Sequence, residues 1–121
     1  MKRALIIEDN DNNMELIKFI LESADYETIG ALTGKEGYEL ARSEVPDFVI
    51  LDIQLPDIDG TEVLRLIRND DTIKTIPVIA VTSYAMAGDR EKMLTTGCDG
   101  YIEKPIDPEL IIGQIKSIIG D

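Results

Sequence analysis

The chain has 121 residues, which suffice for one compact domain and are too few for two. Its 24 acidic residues against 12 basic ones give a net charge of −12, which argues against direct binding to nucleic acid or to an anionic membrane surface. No apolar run approaches the roughly 20 residues of a membrane helix, and the N-terminal apolar segment is too short for a signal peptide. We therefore expect a cytoplasmic domain, without histidine for catalysis or metal binding and with one cysteine, Cys98, that can form no internal disulfide.

Short apolar runs alternate with helical patterns along the whole chain. Runs rich in β-branched residues at 4–7, 48–51 and 78–81 predict strands that are buried on both faces of a parallel sheet. Weaker strand candidates lie at 28–32 and 100–102.

A helix is predicted after each strand. The second begins near Thr33, the fourth ends at Gly97, and the fifth opens with the N-cap Asp107 before Pro108. The apolar faces of the first, third and fourth helices are formed by Met14, Ile17, Ile20, Leu21 and Ala24; by Val63, Leu64 and Ile67; and by Met86, Met93 and Leu94.

This alternation predicts an α/β fold, (βα)₅, with a doubly wound parallel five-stranded sheet. The flavodoxin-like strand order 2-1-3-4-5 suits five such units. The chain contains no linker, repeat or low-complexity segment, so we expect residues 1–121 to form a single domain.

Polar residues stand at the end of four predicted strands. Glu8 and Asp9 follow the first, Asp52 follows the third, Thr82 follows the fourth, and Lys104 lies near the end of the fifth. Because the carboxyl ends of parallel strands meet at one edge of the sheet, we expect these side chains to converge there. Each one taken singly is more often a loop residue, a helix cap or a solvated charge; their joint placement favours a functional site.

The chemistry of this group follows from its charges. Three carboxylates repel one another unless a cation lies between them, and oxygen ligands without histidine or thiolate favour Mg²⁺. Asp52 is then a candidate nucleophile toward phosphorus, with Lys104 and Thr82 binding the oxygens of the phosphoryl group.

The segments around these residues resemble the CheY-like receiver domains of response regulators. The matching segments are 5–10, 46–52, 55–60, 76–82, 97–99 and 101–105. The likeness spans nearly the whole chain in order, and 9–13 with 86–89 is particularly similar to single-domain, DivK-like regulators and to receivers of hybrid histidine kinases.

The resemblance implies a role for each residue at the sheet edge. Asp52 corresponds to the phosphorylated aspartate, and Glu8 and Asp9 correspond to the acidic pair that holds Mg²⁺. The backbone carbonyl of Gln54 is implied as a further metal ligand. Lys104 corresponds to the lysine that pairs with the phosphoryl group, before a proline whose peptide bond is typically cis.

Two further residues correspond to the switch of the family. Thr82 matches the hydroxyl that moves onto the phosphoryl group, and Tyr101 matches the aromatic ring that turns inward when it does. Phosphorylation thereby changes the surface of the fourth helix, fifth strand and fifth helix, which a downstream protein reads. The implied phosphoryl donor is a histidine kinase or histidine phosphotransfer protein. The domain would phosphorylate and dephosphorylate itself and turn over no separate substrate.

Two positions depart from the common pattern. Glu8 replaces an aspartate and adds a methylene, which could make its metal contact water-mediated, and Tyr84 is bulky enough to slow attack of water on the phosphoryl group.

Three alternative functions stay open. The first is a haloacid dehalogenase-type phosphatase, although 52–56 lacks its second aspartate, and the second is a flavodoxin-like electron carrier, although the loop 9–13 is acidic. The third is a receiver that acts unphosphorylated. The sequence does not reveal the cognate kinase, the output, the oligomeric state, the phosphoryl lifetime, or whether the domain stands alone or belongs to a longer protein.

Overall fold

The computed structural model of the protein describes residues 2–82 and 89–120. In these residues five strands alternate with five helices, as predicted. The elements are β1 (Arg3–Ile7), α1 (Asp11–Ser23), β2 (Glu27–Ala31), α2 (Gly34–Glu44), β3 (Phe48–Asp52), α3 (Gly60–Arg68), β4 (Val78–Thr82), α4 (Asp89–Thr96), β5 (Gly100–Glu103) and α5 (Pro108–Ile119).

The strands form one parallel sheet in the order β2-β1-β3-β4-β5, which confirms the predicted topology. Alternate residues of β1 point to opposite faces: Leu5 and Ile7 pack towards α2 and α3, whereas Ala4 and Ile6 pack towards α1 and α5. Both faces of the sheet are therefore covered by helices, which explains why the central strands read as unbroken apolar runs.

Two apolar positions differ from their predicted placement. β2 ends at Ala31, which pairs with Ile7 at the end of β1, and Leu32 beyond it is 47% exposed. In α4, Met93 is buried but Leu94 is 43% exposed, because neighbouring residues on a helix face different directions. The predicted helix residue Met86 and the bulky Tyr84 lie outside the described residues.

Helix N-termini are capped by the side chains that precede them. Asn10, Thr33, Asp59 and Asp107 each accept a hydrogen bond from a backbone N–H in the first turn of α1, α2, α3 and α5, respectively. All four caps follow a strand, namely β1, β2, β3 and β5, at the carboxyl edge of the sheet. No helix within residues 2–82 and 89–120 is long and apolar enough to cross a membrane.

Candidate functional site

A polar cleft of about 360 Å³ opens at the carboxyl ends of the central strands. Its lining residues are Glu8, Asp9, Asn10, Asn13, Asp52, Gln54 and Lys104. Five of these were candidates from the sequence, drawn from three separate segments of the chain. Asn10 and Asn13 were missed as site residues; their position within four residues of the acidic pair is the signal that could have revealed them.

The carboxylates in this cleft are close enough to share a cation. One oxygen from each of Glu8, Asp9 and Asp52 lies within 4.8 Å of the other two. Glu8 and Asp52 are buried, whereas Asp9 is exposed to solvent. Such an arrangement of hard oxygen ligands, open on one side, fits a Mg²⁺ ion that keeps part of its water shell.

Lys104 is the amine that faces these carboxylates. Its Nζ lies 2.5 Å from Oε1 of Glu8 and 3.6 Å from Oδ2 of Asp52, and its side chain is only 10% exposed. The other oxygen of Glu8, Oε2, accepts a hydrogen bond of 3.2 Å from the backbone N–H of Asn10. Glu8, the departure from the common pattern, is thus held directly by Lys104, whose amine contacts two of the three carboxylates.

The negative charge in the cleft is only partly neutralised, and this affects the pKa values of the two buried carboxylates, Asp52 and Glu8. Burial, followed by the hydrogen bond and the negative charge of Glu8, raises the pKa of Asp52, and Lys104 and the backbone N–H of Gln54 lower it only in part, so that the pKa is about 7. Burial acts in the same direction on Glu8, but hydrogen bonds with Asp52 and Lys104 bring the pKa of Glu8 below its ordinary value. Asp52 is therefore only partly ionised near neutral pH, and a bound cation would displace the remaining proton because it favours the charged carboxylate.

Thr82 and Tyr101 lie on the two strands beside the cleft, and neither is among its lining residues in the described part of the chain. Thr82 is buried at the end of β4, where its carbonyl accepts a 2.7 Å hydrogen bond from the backbone N–H of Lys104. Tyr101 is half-buried on β5 and packs on the side of the sheet covered by α2, α3 and α4. The peptide bond between Lys104 and Pro105 is cis, as the resemblance implied.

Comparison with known proteins assigns the chain to a family. Residues 4–116 match the model of the response regulator receiver domain. The chain belongs to the response regulator receiver domain family. Receiver domains of this family are CheY-like phosphoacceptor switches of two-component signalling, acting between histidine kinases and downstream effectors, and this chain is one of them. This assignment favours a receiver over the phosphatase and the flavin carrier.

Named relatives and solved structures agree with this assignment. The chain is 46% identical to the polar-differentiation response regulator DivK of Brucella anthropi over 120 residues, which cover 99% of this chain and 98% of DivK. It is similar in structure to a putative response regulator from Chloroflexus aurantiacus, with a TM-score of 0.93, 28% identity, and coverage of 99% of this chain and 98% of the other. The receiver domain of a sensor histidine kinase from Pseudomonas aeruginosa has a TM-score of 0.90, 30% identity and the same two coverages, and a magnesium ion is coordinated in its active site cleft.

Proposed function

We propose that Asp52 is the phosphoryl acceptor of this receiver domain, that residues 1–121 form that one domain, and that Mg²⁺ is its cofactor. The observation that carries the proposal is the placement of Asp52. Its carboxylate is buried at the end of β3, in a cleft with two further carboxylates and 3.6 Å from the amine of Lys104. A carboxylate with a cation site on one side and an amine on the other is suited to attack a charged phosphoryl group.

The transfer places a phosphoryl group from a phosphohistidine on a carboxylate oxygen of Asp52. A new P–O bond forms as the P–N bond of the donor breaks, and the electron pair of that bond leaves with the imidazole, which takes up a proton. Bound Mg²⁺ would neutralise the carboxylates and bind a phosphoryl oxygen, with Glu8, Asp9, Asp52 and the backbone carbonyl of Gln54 as protein ligands. Lys104 would exchange its contact with Glu8 for a phosphoryl oxygen.

The response to phosphorylation would run through the neighbouring strands. Thr82 would turn its hydroxyl towards the new oxygens, and Tyr101 would fill the space that this movement leaves. The surface formed by α4, β5 and α5 would then differ between the two states, and a downstream protein would bind one of them. In this role the domain acts in the cytoplasm and is a switch that turns over no separate substrate.

The donor is a histidine kinase or a histidine phosphotransfer protein, and an apolar groove along α1, the helix whose first turn lines the cleft, supports contact with such a protein. The groove lies between α1 and α5; it is lined by Phe19, Ile20, Ser23, Ala24, Pro108 and Ile112. Phe19 is 71% exposed, and Asn13, earlier on the same helix, lines the cleft. We expect a donor that reaches Asp52 to extend along α1 and to cover Phe19. For any histidine kinase that labels the wild type, Phe19→Ala should slow labelling, while labelling by acetyl phosphate stays unchanged.

Incubation of the purified protein with acetyl phosphate and Mg²⁺ tests the acceptor and the cofactor together. Intact-protein mass spectrometry should show one added phosphoryl group on the wild type and none on Asp52→Asn or in excess EDTA. Labelling that survives Asp52→Asn would disprove the acceptor, and full labelling in EDTA would disprove the metal requirement. A wild type that is never labelled would support the unphosphorylated alternative.

A further inference from the structure

Asp57 connects the loop after β3 to the first turn of α2. Its Oδ1 accepts a hydrogen bond of 2.8 Å from the backbone N–H of Gly34, and its Oδ2 accepts one of 2.9 Å from that of Lys35. These partners are 23 and 22 residues away in the chain, so the contact joins two separate units of the fold.

The same helix end is capped by a second residue, which makes the role of Asp57 distinct. Thr33 accepts the backbone N–H of Glu36 through its Oγ1, at 3.1 Å. The first N–H groups of a helix have no partner within the helix and attract negative charge. Thr33 satisfies one of them from within its own segment, whereas Asp57 satisfies two from the loop between β3 and α3.

This loop, residues 53–59, also carries Gln54, whose backbone carbonyl is the proposed metal ligand. The backbone N–H of Gln54 donates to Oδ1 of Asp52 at 3.1 Å, and that of Gly60 donates to the carbonyl of Ile53 at 2.8 Å. A Cβ at Gly60 would lie 2.6 Å from the carbonyl oxygen of Asp52, so the two ends of the loop pass very close to each other. The loop is therefore closed at its base, and Asp57 fastens its far side to α2.

We propose that Asp57 is a positioning residue that holds the β3–α3 loop in the conformation presenting the Gln54 carbonyl to the cation. The inference rests on the proposed Mg²⁺ site. A carbonyl ligand has no side-chain freedom with which to correct an error, so its position depends on the backbone of this loop. Outer contacts that orient metal ligands change metal affinity when they are removed.

The test compares two variants that each remove hydrogen bonds from the same helix end. Asp57→Ala removes the link between loop and helix, and Thr33→Ala removes only a cap of α2. Calorimetric titration with Mg²⁺ should show affinity about tenfold weaker for Asp57→Ala, and affinity within about twofold of the wild type for Thr33→Ala. Asp57→Asn retains one acceptor oxygen, so its affinity should lie between those of the wild type and Asp57→Ala.

A second measurement needs no metal. Amide hydrogen exchange of residues 53–59 in EDTA should be faster in Asp57→Ala than in Thr33→Ala, because only the former releases the loop. Wild-type Mg²⁺ affinity in Asp57→Ala, or an equal loss in both alanine variants, would overturn the positioning role. If the wild type binds no Mg²⁺, the proposed function is contradicted. If, in addition, Asp57→Ala leaves the amide exchange of residues 53–59 unchanged, Asp57 does not hold the loop to α2 either.

Discussion

Charged side chains gather at both ends of the sheet, but their charges are balanced only at the amino end. There Arg68, the last residue of α3, donates to the carbonyls of Gly97, Lys74 and Ile76 and to the carboxylate of Asp99. Asp99 in turn accepts the backbone N–H of Val78 at the start of β4. Each charge has partners, and together they join α3 to the segments before β4 and β5.

At the carboxyl end, three carboxylates lie close together, and among the described residues that line the cleft only Lys104 is basic; its amine contacts Glu8 and Asp52. Burial makes this imbalance costly, as the raised pKa of Asp52 shows. The comparison teaches that buried charge stabilises this fold where its hydrogen bonds are complete, and that the incomplete set coincides with the site for which we propose binding of a cation and a phosphoryl group.

The largest effect is expected from breaking the balanced end. Arg68→Ala should lower the free energy of unfolding by about 3 kcal/mol, because Asp99 loses its cationic partner and three backbone carbonyls lose their side-chain donor. Urea denaturation of the variant and the wild type measures this loss in the free energy of unfolding. The matched control is Arg65→Ala on the same helix, whose side chain is 55% exposed and pairs with Glu62; it should change stability by less than about 0.5 kcal/mol. Equal losses in the two variants would contradict the distinction.

A change of opposite sign is expected at the carboxyl end. Without Mg²⁺ at pH 8, Asp52→Asn should raise the free energy of unfolding by about 2 kcal/mol, because it removes a buried negative charge whose burial and repulsion by Glu8 outweigh its attraction to Lys104. The pKa of Asp52 is about 7 in the folded protein against an ordinary value of 3.8, so ionisation destabilises the fold progressively as the pH rises between these values. The gain should therefore disappear below about pH 4. The control is Asp71→Asn, because the side chain of Asp71 is 91% exposed and its substitution should not raise the free energy of unfolding in this way. If Asp52→Asn is instead less stable than the wild type, the explanation is wrong.

Val45, at the amino end of the sheet, has a strained backbone, and a substitution there tests backbone conformation without changing any charge. Val45, the C-cap of α2, has φ of 43° in the left-handed region, which is unfavourable for a β-branched residue. Because its side chain is 54% exposed, Val45→Gly loses little packing and should stabilise the protein by about 1 kcal/mol in urea denaturation. Val45→Ala keeps a Cβ and should gain less; a destabilising glycine would contradict the prediction.

The smallest effect concerns Asp57, a carboxylate at the carboxyl end whose hydrogen bonds are complete. Burial opposes ionisation there, but the N–H groups of Lys35 and Gly34 lower the pKa of Asp57 to about 2. A lowered pKa stabilises the fold at pH values above the ordinary 3.8, and this contribution is lost as the pH falls towards 2. The stability difference between wild type and Asp57→Asn, measured in urea at several pH values, should shrink over that range. A pH-independent difference would show that charge contributes nothing to this link.

The regular elements were predictable because their signals are local. The apolar runs of β1, β3 and β4, and the caps Thr33 and Asp107, specify structure through neighbours a few residues away. The placement of Leu32 and Leu94 was not predictable, since apolar character alone does not reveal where a strand loses its partner or which way a short helix faces.

The sequence by itself determined the (βα)₅ order, and with it the convergence of Glu8, Asp9, Asp52 and Lys104, because parallel strands bring their carboxyl ends to one edge. Only the tertiary structure decided which of these side chains touch: Lys104 holds Glu8 more closely than Asp52. It also decided the contacts of Arg68 with Asp99 and of Asp57 with α2. These pairs are separated by 31 and by 22 to 23 residues, respectively. Such contacts depend on side-chain geometry after the sheet has formed, and no local pattern of residues encodes them.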